Sequence, residues 1–283
     1  MTLEALEGRV VGPGALAASA GAVDEFVAAT GDDVTRWRDA APPGFAAVAL
    51  FAVAPAFLAE PEVARHGRSL LHAEQSFGWS RALLVGEEVE VRGRVAGVRS
   101  RGPLYMVGFE VDASGPGGPW LEGSSTFLLS AEAAASSAEE AEPGFEARAE
   151  FDPATPFPFP AAGEALPPLR RSASRSDLVR YAAASGDANP IHQDHEAARG
   201  AGLPGVVVHG LLLACWLFQA AARFREGPHP LQRARVRFRQ PLRPAVAAVI
   251  GGSVGAGAGG PGLDLALEAG GVTLATATVA VTP

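Results

Sequence analysis

The residues best suited to chemistry crowd into one stretch, Tyr181-Ala-Ala-Ala-Ser-Gly-Asp-Ala-Asn-Pro-Ile-His192. Gly186 is placed to end a helix, and Asn189-Pro190 forbids that helix from continuing while Pro190 can open a new one. Asp187 and His192 then flank a tight turn and can converge on one small molecule or water. A carboxylate and an imidazole so placed can take a proton from water and return one elsewhere. Asn189 can lock the turn by bonding its side chain to the backbone, and Ser185 is expected to support the pair with it. Asn189 is the only Asn in the chain, and all 23 basic residues are Arg; the bias fits a GC-rich coding sequence and carries no information about fold.

Downstream, Pro204-Gly205 introduces the longest apolar run, 206–218, interrupted by His209 and Gly210. The run is too short for the ~20 residues of a membrane span and reads as a buried helix over 206–222. The first N–H groups of a helix lack partners within it and carry the positive end of its dipole. With no side chain, Gly210 would let a carbonyl oxygen approach such an N–H, as an oxyanion hole needs. His209 reads as a core histidine.

Other motifs point to less. His192-x-Asp194-His195 carries metal-ligand types, but adjacent residues diverge on a helix and no fourth ligand is evident, so no metal is expected. The Gly251-to-Gly255 segment spells a nucleophile elbow around Ser253, yet no helix follows it. The glycines at 255–260 spell a dinucleotide fingerprint, but Pro261-Gly262 forbids the receiving helix. Cys215, mid-helix, reads as core. Arg233, Arg235, Arg237 and Arg239 alternate with apolar residues, which puts four guanidinium groups on one strand face, either as a solvated outer face or as contacts for phosphates or an acidic carrier.

The positioning elements repeat. After a helix at 176–185 and the apolar helix come strand-like segments at 233–242, 247–254, 263–270 and 271–281, with alternation and Gly-rich turns. The first half parallels this: a helix at 22–33 ending in Gly31-Asp32, then Pro43-Gly44, an apolar helix at 45–58 and four strands at 70–79, 87–98, 103–113 and 120–130. One buried helix followed by an antiparallel sheet, twice, is an α+β arrangement. Between the halves, 131–168 is Ala/Glu-rich and then Pro-rich and reads as linker, giving domains at 1–130 and 169–283. The net charge of −8 over 283 residues argues against nucleic-acid binding and a basic membrane surface. One Cys fits a reducing cytoplasm, and the start lacks a signal peptide's basic and apolar regions.

SGDANPIH followed by VVHG resembles the MaoC-like hydratase/dehydratase family, the R-specific enoyl-CoA hydratases of hotdog fold, over about 170–282. The first half resembles the family's N-terminal dehydratase-like hotdog more weakly, through LLHAEQSFGWSRALLVGEEVEV. The resemblance implies a double hotdog, two antiparallel sheets each wrapped around a long central helix. It implies reversible hydration of trans-2-enoyl thioesters to R-3-hydroxyacyl thioesters, carried on coenzyme A or an acyl carrier protein, with no other cofactor. Asp187 and His192 would then activate water, Asn189 would support them, and a backbone N–H at Gly210 would hold the thioester oxygen. In the first half Trp37 stands where His192 would be and Val48-Ala49 replaces His209-Gly210, so one active site per chain is expected, with the first half shaping the acyl pocket. A pseudo-dimer of halves that can pair again as a homodimer is expected too. A hotdog thioesterase and a non-catalytic acyl-binding subunit are the alternatives.

Overall fold

Strict alternation of apolar and polar residues makes strands of both halves, as in Glu88–Arg101, where every second residue from Val89 to Val95 is buried. The computed structural model describes residues 2–67, 69–131, 157–257 and 260–283. The first half contains β1 (Val10–Ala17), α1 (Ala20–Thr30), α2 (Ala46–Leu58), α3 (Pro61–His66), β2 (Ser69–Trp79), β3 (Glu88–Arg101), β4 (Leu104–Gly115) and β5 (Gly118–Ser130). The second contains β6 (Leu169–Arg171), α4 (Arg175–Ser185), α5 (His195–Gly200), α6 (Gly210–Ala222), β7 (Leu231–Phe238), β8 (Ala248–Gly257), β9 (Gly260–Ala269) and β10 (Val272–Val281). The strands run in the order β1-β3-β4-β5-β2-β7-β10-β9-β8-β6, so the second half mirrors the first about the β2–β7 seam. The two expected sheets, one around each apolar helix, meet edge to edge: antiparallel pairing of Glu74–Gly78 with Arg233–Arg237 runs them into one ten-stranded sheet.

The two apolar helices differ in burial: α2 buries Ala46, Ala47, Ala49, Leu50, Val53, Ala54 and Phe57 and leaves Pro55 and Ala56 exposed, whereas α6 is covered beyond its first residue. In α6 every residue from Leu211 to Ala222 is buried, which an all-round apolar helix requires. Its cover comes partly from the other half. Phe218 meets Trp79 and Phe77 edge-on, Gln219 donates its amide to the Thr30 carbonyl, and Arg36 donates to the carbonyls of Ala222 and Arg225 at the C-terminal end of α6. A guanidinium there satisfies carbonyls the helix leaves unpaired and complements its dipole.

The arginine stripe resolves into two parts. On the outer face of the seam, Arg233 pairs with Glu122, and Arg235 and Arg237 both pair with Glu74. Arg239 departs from the strand and lines a cavity. Of the segment read as linker, 132–156 lies outside the described residues. From 157 on the chain is tied down: Phe157 donates its N–H to Arg223, Leu166 donates to Gly252, and Arg223 and Arg225 lie over the rings of Phe157 and Phe159. Ser253 sits inside β8, opposite Asp264, rather than in the turn its glycine neighbours suggest. Among the described residues no helix is long and apolar enough to cross a membrane.

Residues 157–283 expressed alone would expose both the edge of β7 and the face of α6 that meets Phe77, Trp79 and Arg36. Exposed edges of this kind pair with other chains. Size-exclusion chromatography and circular dichroism of that fragment are expected to show aggregation, relieved by co-expression with residues 1–131. A stable, monomeric, active second half would overturn the seam's structural role.

Candidate active site

Ser174 opens α4 with a capping box, accepting from Asp177 N–H while the Asp177 carboxylate accepts from Ser174 N–H. Gly186 closes the helix in the left-handed region, φ 83°, which favours a residue without a side chain. Its neighbourhood is tight as well, since a Cβ there would stand 3.2 Å from the Cβ of Phe51 in the other half. Ser185, fully buried, donates its hydroxyl to the Tyr181 carbonyl and accepts Asp187 N–H at 3.2 Å. Asn189 N–H in turn reaches Asp187 Oδ1, and Asn189 Oδ1 caps the single turn Pro190–His192 by accepting from Ile191. Each supporting residue read from the sequence therefore has a defined contact within the turn.

His192 donates from Nδ1 to the Val207 carbonyl at 2.8 Å. A carbonyl can only accept, so this bond fixes the neutral ring as the Nδ1–H tautomer and leaves the Nε2 lone pair free to act as a base. The same interaction corrects the helix boundary. Residues 206–209 were expected to be helical, but Val207 bonds to His192, Val208 N–H bonds to the Leu242 carbonyl, and α6 starts only at Gly210. In the first half the comparable helix starts at Ala46, two residues after Gly44, so Val48 and Ala49 lie inside α2 rather than at its start.

His209 contributes what the sequence did not suggest. Its ring stacks on His192, centroids 3.8 Å apart and planes inclined 28°, with Tyr181 against its other neighbours at 4.9 Å. It is fully buried, and neither ring nitrogen has a hydrogen-bond partner. Ligand atoms of Asp187, His192 and His209 all lie within 4.8 Å of one another. They are metal-ligand types, but His192 Nδ1 is engaged by the Val207 carbonyl and the two imidazoles stack face to face, so their in-plane lone pairs do not aim at a common ion and the residues do not fit a metal as they stand.

Burial sets the protonation states. It raises the Asp187 carboxyl to about 7, against the Asn189 N–H that favours the ionised form. It lowers His192 to about 4 despite the bond to Val207. His209 is held well below the usual range by burial and then by His192. Around neutrality the site is therefore a neutral imidazole beside a carboxyl poised between its two forms.

The pair faces a cavity of about 640 Å³ shared by both halves. The second half supplies 186–192, Val207, Gly210 and Leu211; the first supplies Phe51, Pro55, Leu58 and the start of β2. Gly210 is the first residue of α6, so its N–H belongs to the unpaired first turn and lies in the cavity wall. The corresponding place in the first half is filled. Asp32 lines a space of only about 10 Å³, room for no more than about one water, closed by Phe26, Cys215, Phe218 and Gln219. Trp37 is buried there, and no imidazole stands beside Asp32.

Comparison with known proteins follows this division. Residues 159–249 match the model of a MaoC like domain, and residues 5–114 match that of a FAS1-like dehydratase domain region. A 3-hydroxyacyl-thioester dehydratase, X, of Mycobacterium tuberculosis is 39% identical over 130 residues, 44% of this chain and 43% of the relative, so the match spans less than half of that protein. A MaoC-like dehydratase of known structure superposes over 99% of both chains, with a TM-score of 0.80 at 23% identity. A Mycobacterium tuberculosis protein described as a double hotdog covers 97% of this chain and 96% of its own, with a TM-score of 0.64 at 15% identity. At those identities the two structures speak for the fold, which is the double hotdog.

Two substitutions test the site physically. Unfolded Asp187 loses its proton near 3.8, whereas the folded group keeps it to about 7. Stability must then fall as pH rises between those values and stay lowered above them. Asp187→Asn is therefore expected to raise stability at pH 8 by up to roughly 4 kcal/mol and change little at pH 4, as read by thermal melts at both values. Gly210→Pro removes only an N–H at the first helical position, where proline is tolerated, and His209 already holds the φ −56°, ψ 132° that precedes proline well. It should fold while losing about 10²–10³ in turnover. Gly210→Ala, whose Cβ would meet Phe238 at an ordinary 3.6 Å, should lose far less.

Proposed function

The chain carries a FAS1-like dehydratase region in its first half and a MaoC-like dehydratase domain in its second, and from that premise we propose that it hydrates trans-2-enoyl thioesters to 3-hydroxyacyl thioesters and dehydrates them in reverse. The observation that carries the reading is the neutral pair, Asp187 and His192, facing a largely apolar cavity large enough for an acyl chain.

The chemistry balances on those two groups. In hydration, His192 Nε2 takes a proton from water while the water oxygen bonds to C3 of the enoyl group. The π electrons move toward the thioester carbonyl, whose oxygen is held by the Gly210 N–H. The Asp187 carboxylic acid then protonates C2. The imidazolium and carboxylate so formed lie within 4.8 Å and exchange one proton to restore the starting state. Asn189 and Ser185 hold the turn and take no proton. The dehydratase relative supports thioester chemistry, and the absence of a side-chain nucleophile among the cavity residues named above favours lyase chemistry over hydrolysis. Arg239, at the end of β7, offers the cavity a cation for the phosphates of coenzyme A or for an acidic carrier protein.

Loss of the enoyl absorbance, followed against release of free thiol, separates hydration from hydrolysis. Asp187→Asn and His192→Ala are each expected to lower turnover about 10²–10⁴-fold, with the double variant little worse than either, because the proton taken by His192 and the proton given by Asp187 belong to one addition. Asp32→Asn should leave turnover near wild type. Only the singly protonated pair reacts in either direction. The kcat/KM should accordingly fall as pH rises through about 7, when Asp187 loses its proton, and fall below about 4, when His192 gains one. Thiol release without loss of enoyl absorbance, or full activity in either variant, would overturn the proposal.

A further inference from the structure

Among the described residues that the first half gives to the cavity wall, only His72 carries a polar side chain; its neighbours there include Phe51, Leu58, Leu70 and Phe127. The register of β2 explains how it arrives. Gln75, Phe77 and Trp79 are buried on the inner face, and unbroken alternation would carry Ala73 and Leu71 inward and His72 outward. A bulge in the pairing with β5, between His72 and Glu74, resets the alternation. His72 lies opposite Phe127 across that pairing and stacks with its ring, while Leu71 is 36% exposed. Bulges beside functional sites commonly re-aim a side chain in this way.

The imidazole lies between Phe127 and Phe238, with ring centroids 4.9 and 5.1 Å away. Phe238 also stands against Gly210, so His72 is one aromatic ring removed from the N–H assigned to the thioester oxygen. An acyl chain leaving the reacting carbons along the first-half wall would pass it. Nε2 is buried with no hydrogen-bond partner. Burial lowers the ring to about 4, although the Glu74 backbone and the Gln75 side chain, as acceptors, favour the charged form, so it is a neutral imidazole in an apolar wall. A buried polar atom left unpaired is disfavoured where an apolar side chain would fit.

We propose that His72 is a hydrogen-bonding subsite for an acyl chain that carries a hydroxyl or keto oxygen a few carbons beyond the reacting double bond. The inference rests on the hydratase reading above and narrows its substrate class from plain to oxygenated enoyl thioesters. Phe238, only part-buried, turns aside to let the oxygen reach Nε2. A site built to bond a substrate oxygen discriminates strongly against the analogue lacking it.

The test compares wild type, His72→Leu and His72→Gln on straight-chain trans-2-enoyl-CoA thioesters and on chains of the same length bearing a hydroxyl or keto group at successive carbons beyond C4. Wild type is expected to show at least about tenfold higher kcat/KM for one oxygenated position than for the plain chain. His72→Leu should lose that preference while keeping or improving turnover of the plain chain, and His72→Gln, which retains a hydrogen-bonding amide, should keep part of it. A wild type that favours the plain chain at every position, or a His72→Leu that changes both substrates by the same factor, overturns the subsite and leaves the hydratase reading standing. Failure of wild type to hydrate any of them overturns both.

Discussion

The fold depends on the antiparallel pairing of β2 with β7. A helix that is apolar on all sides is not covered by one face of a five-stranded sheet alone, because the side turned away from the sheet is left open. Joining the sheets at Glu74–Gly78 and Arg233–Arg237 removes two edges at once and lets each half close the other's flank. Outside, the seam is charged, with Glu74 between Arg235 and Arg237; such exposed pairs contribute little each but keep the face polar. Inside, it is aromatic, through Phe77, Trp79 and Phe218. The cavity follows from the same join, since its walls come from both halves and neither half alone encloses it.

Burial then does two things with one set of contacts. It stabilises α6 and the turn before it, and it moves the two titrating groups in opposite directions, the carboxyl up and the imidazole down. A solvent-exposed Asp–His pair would be ionised on the carboxyl side near neutrality and would hold its water loosely. Here the carboxyl can keep a proton to give and the imidazole an unprotonated lone pair to receive one. In the proposed reaction the acid and base functions would be separated by environment rather than by residue type. His209, stacked on His192 with both nitrogens unpaired, belongs to the same low-polarity surround.

Local rules made much of this legible. Gly186 and Asn189-Pro190 announce a helix end and a turn through steric and capping effects within a few residues, and alternation marks eight of the strands. What escaped was set by contacts distant in sequence. Residues 206–209 continue the apolar run of α6 but are held out of the helix by His192 and Leu242. β1, with Gly12-Pro13-Gly14, reads as loop but is held by β3, across an irregular register. β6 is three residues long and exists through β8. Alternation places Arg233, Arg235 and Arg237 on one face but not Arg239, which leaves the strand, and it says nothing of their partners, Glu74 and Glu122, more than a hundred residues away. The bulge that brings His72 inward leaves no mark in composition, because Leu71 and His72 trade faces without any change of residue.

The divergence of the two turns has a physical logic. Each turn lies near the central helix of the other half: Gly186 against Phe51 of α2, and the Asp32 turn against Cys215 and Gln219 of α6. An open, solvated cavity at both places would leave both helices half uncovered, and the sheet has no further strands to spare. Filling one is therefore a condition for opening the other. The filled copy turns its polar groups to holding the halves together, with Arg36 on the end of α6 and Thr30 on Gln219. Asp32 keeps its place in that packing, raised by burial although Asp33 N–H, Trp37, Arg36 and Arg171 all favour its ionised form. The open copy can then keep an uncompensated pair of buried titratable groups, which by itself lowers stability, because the closed copy supplies the rigidity that holds its walls apart.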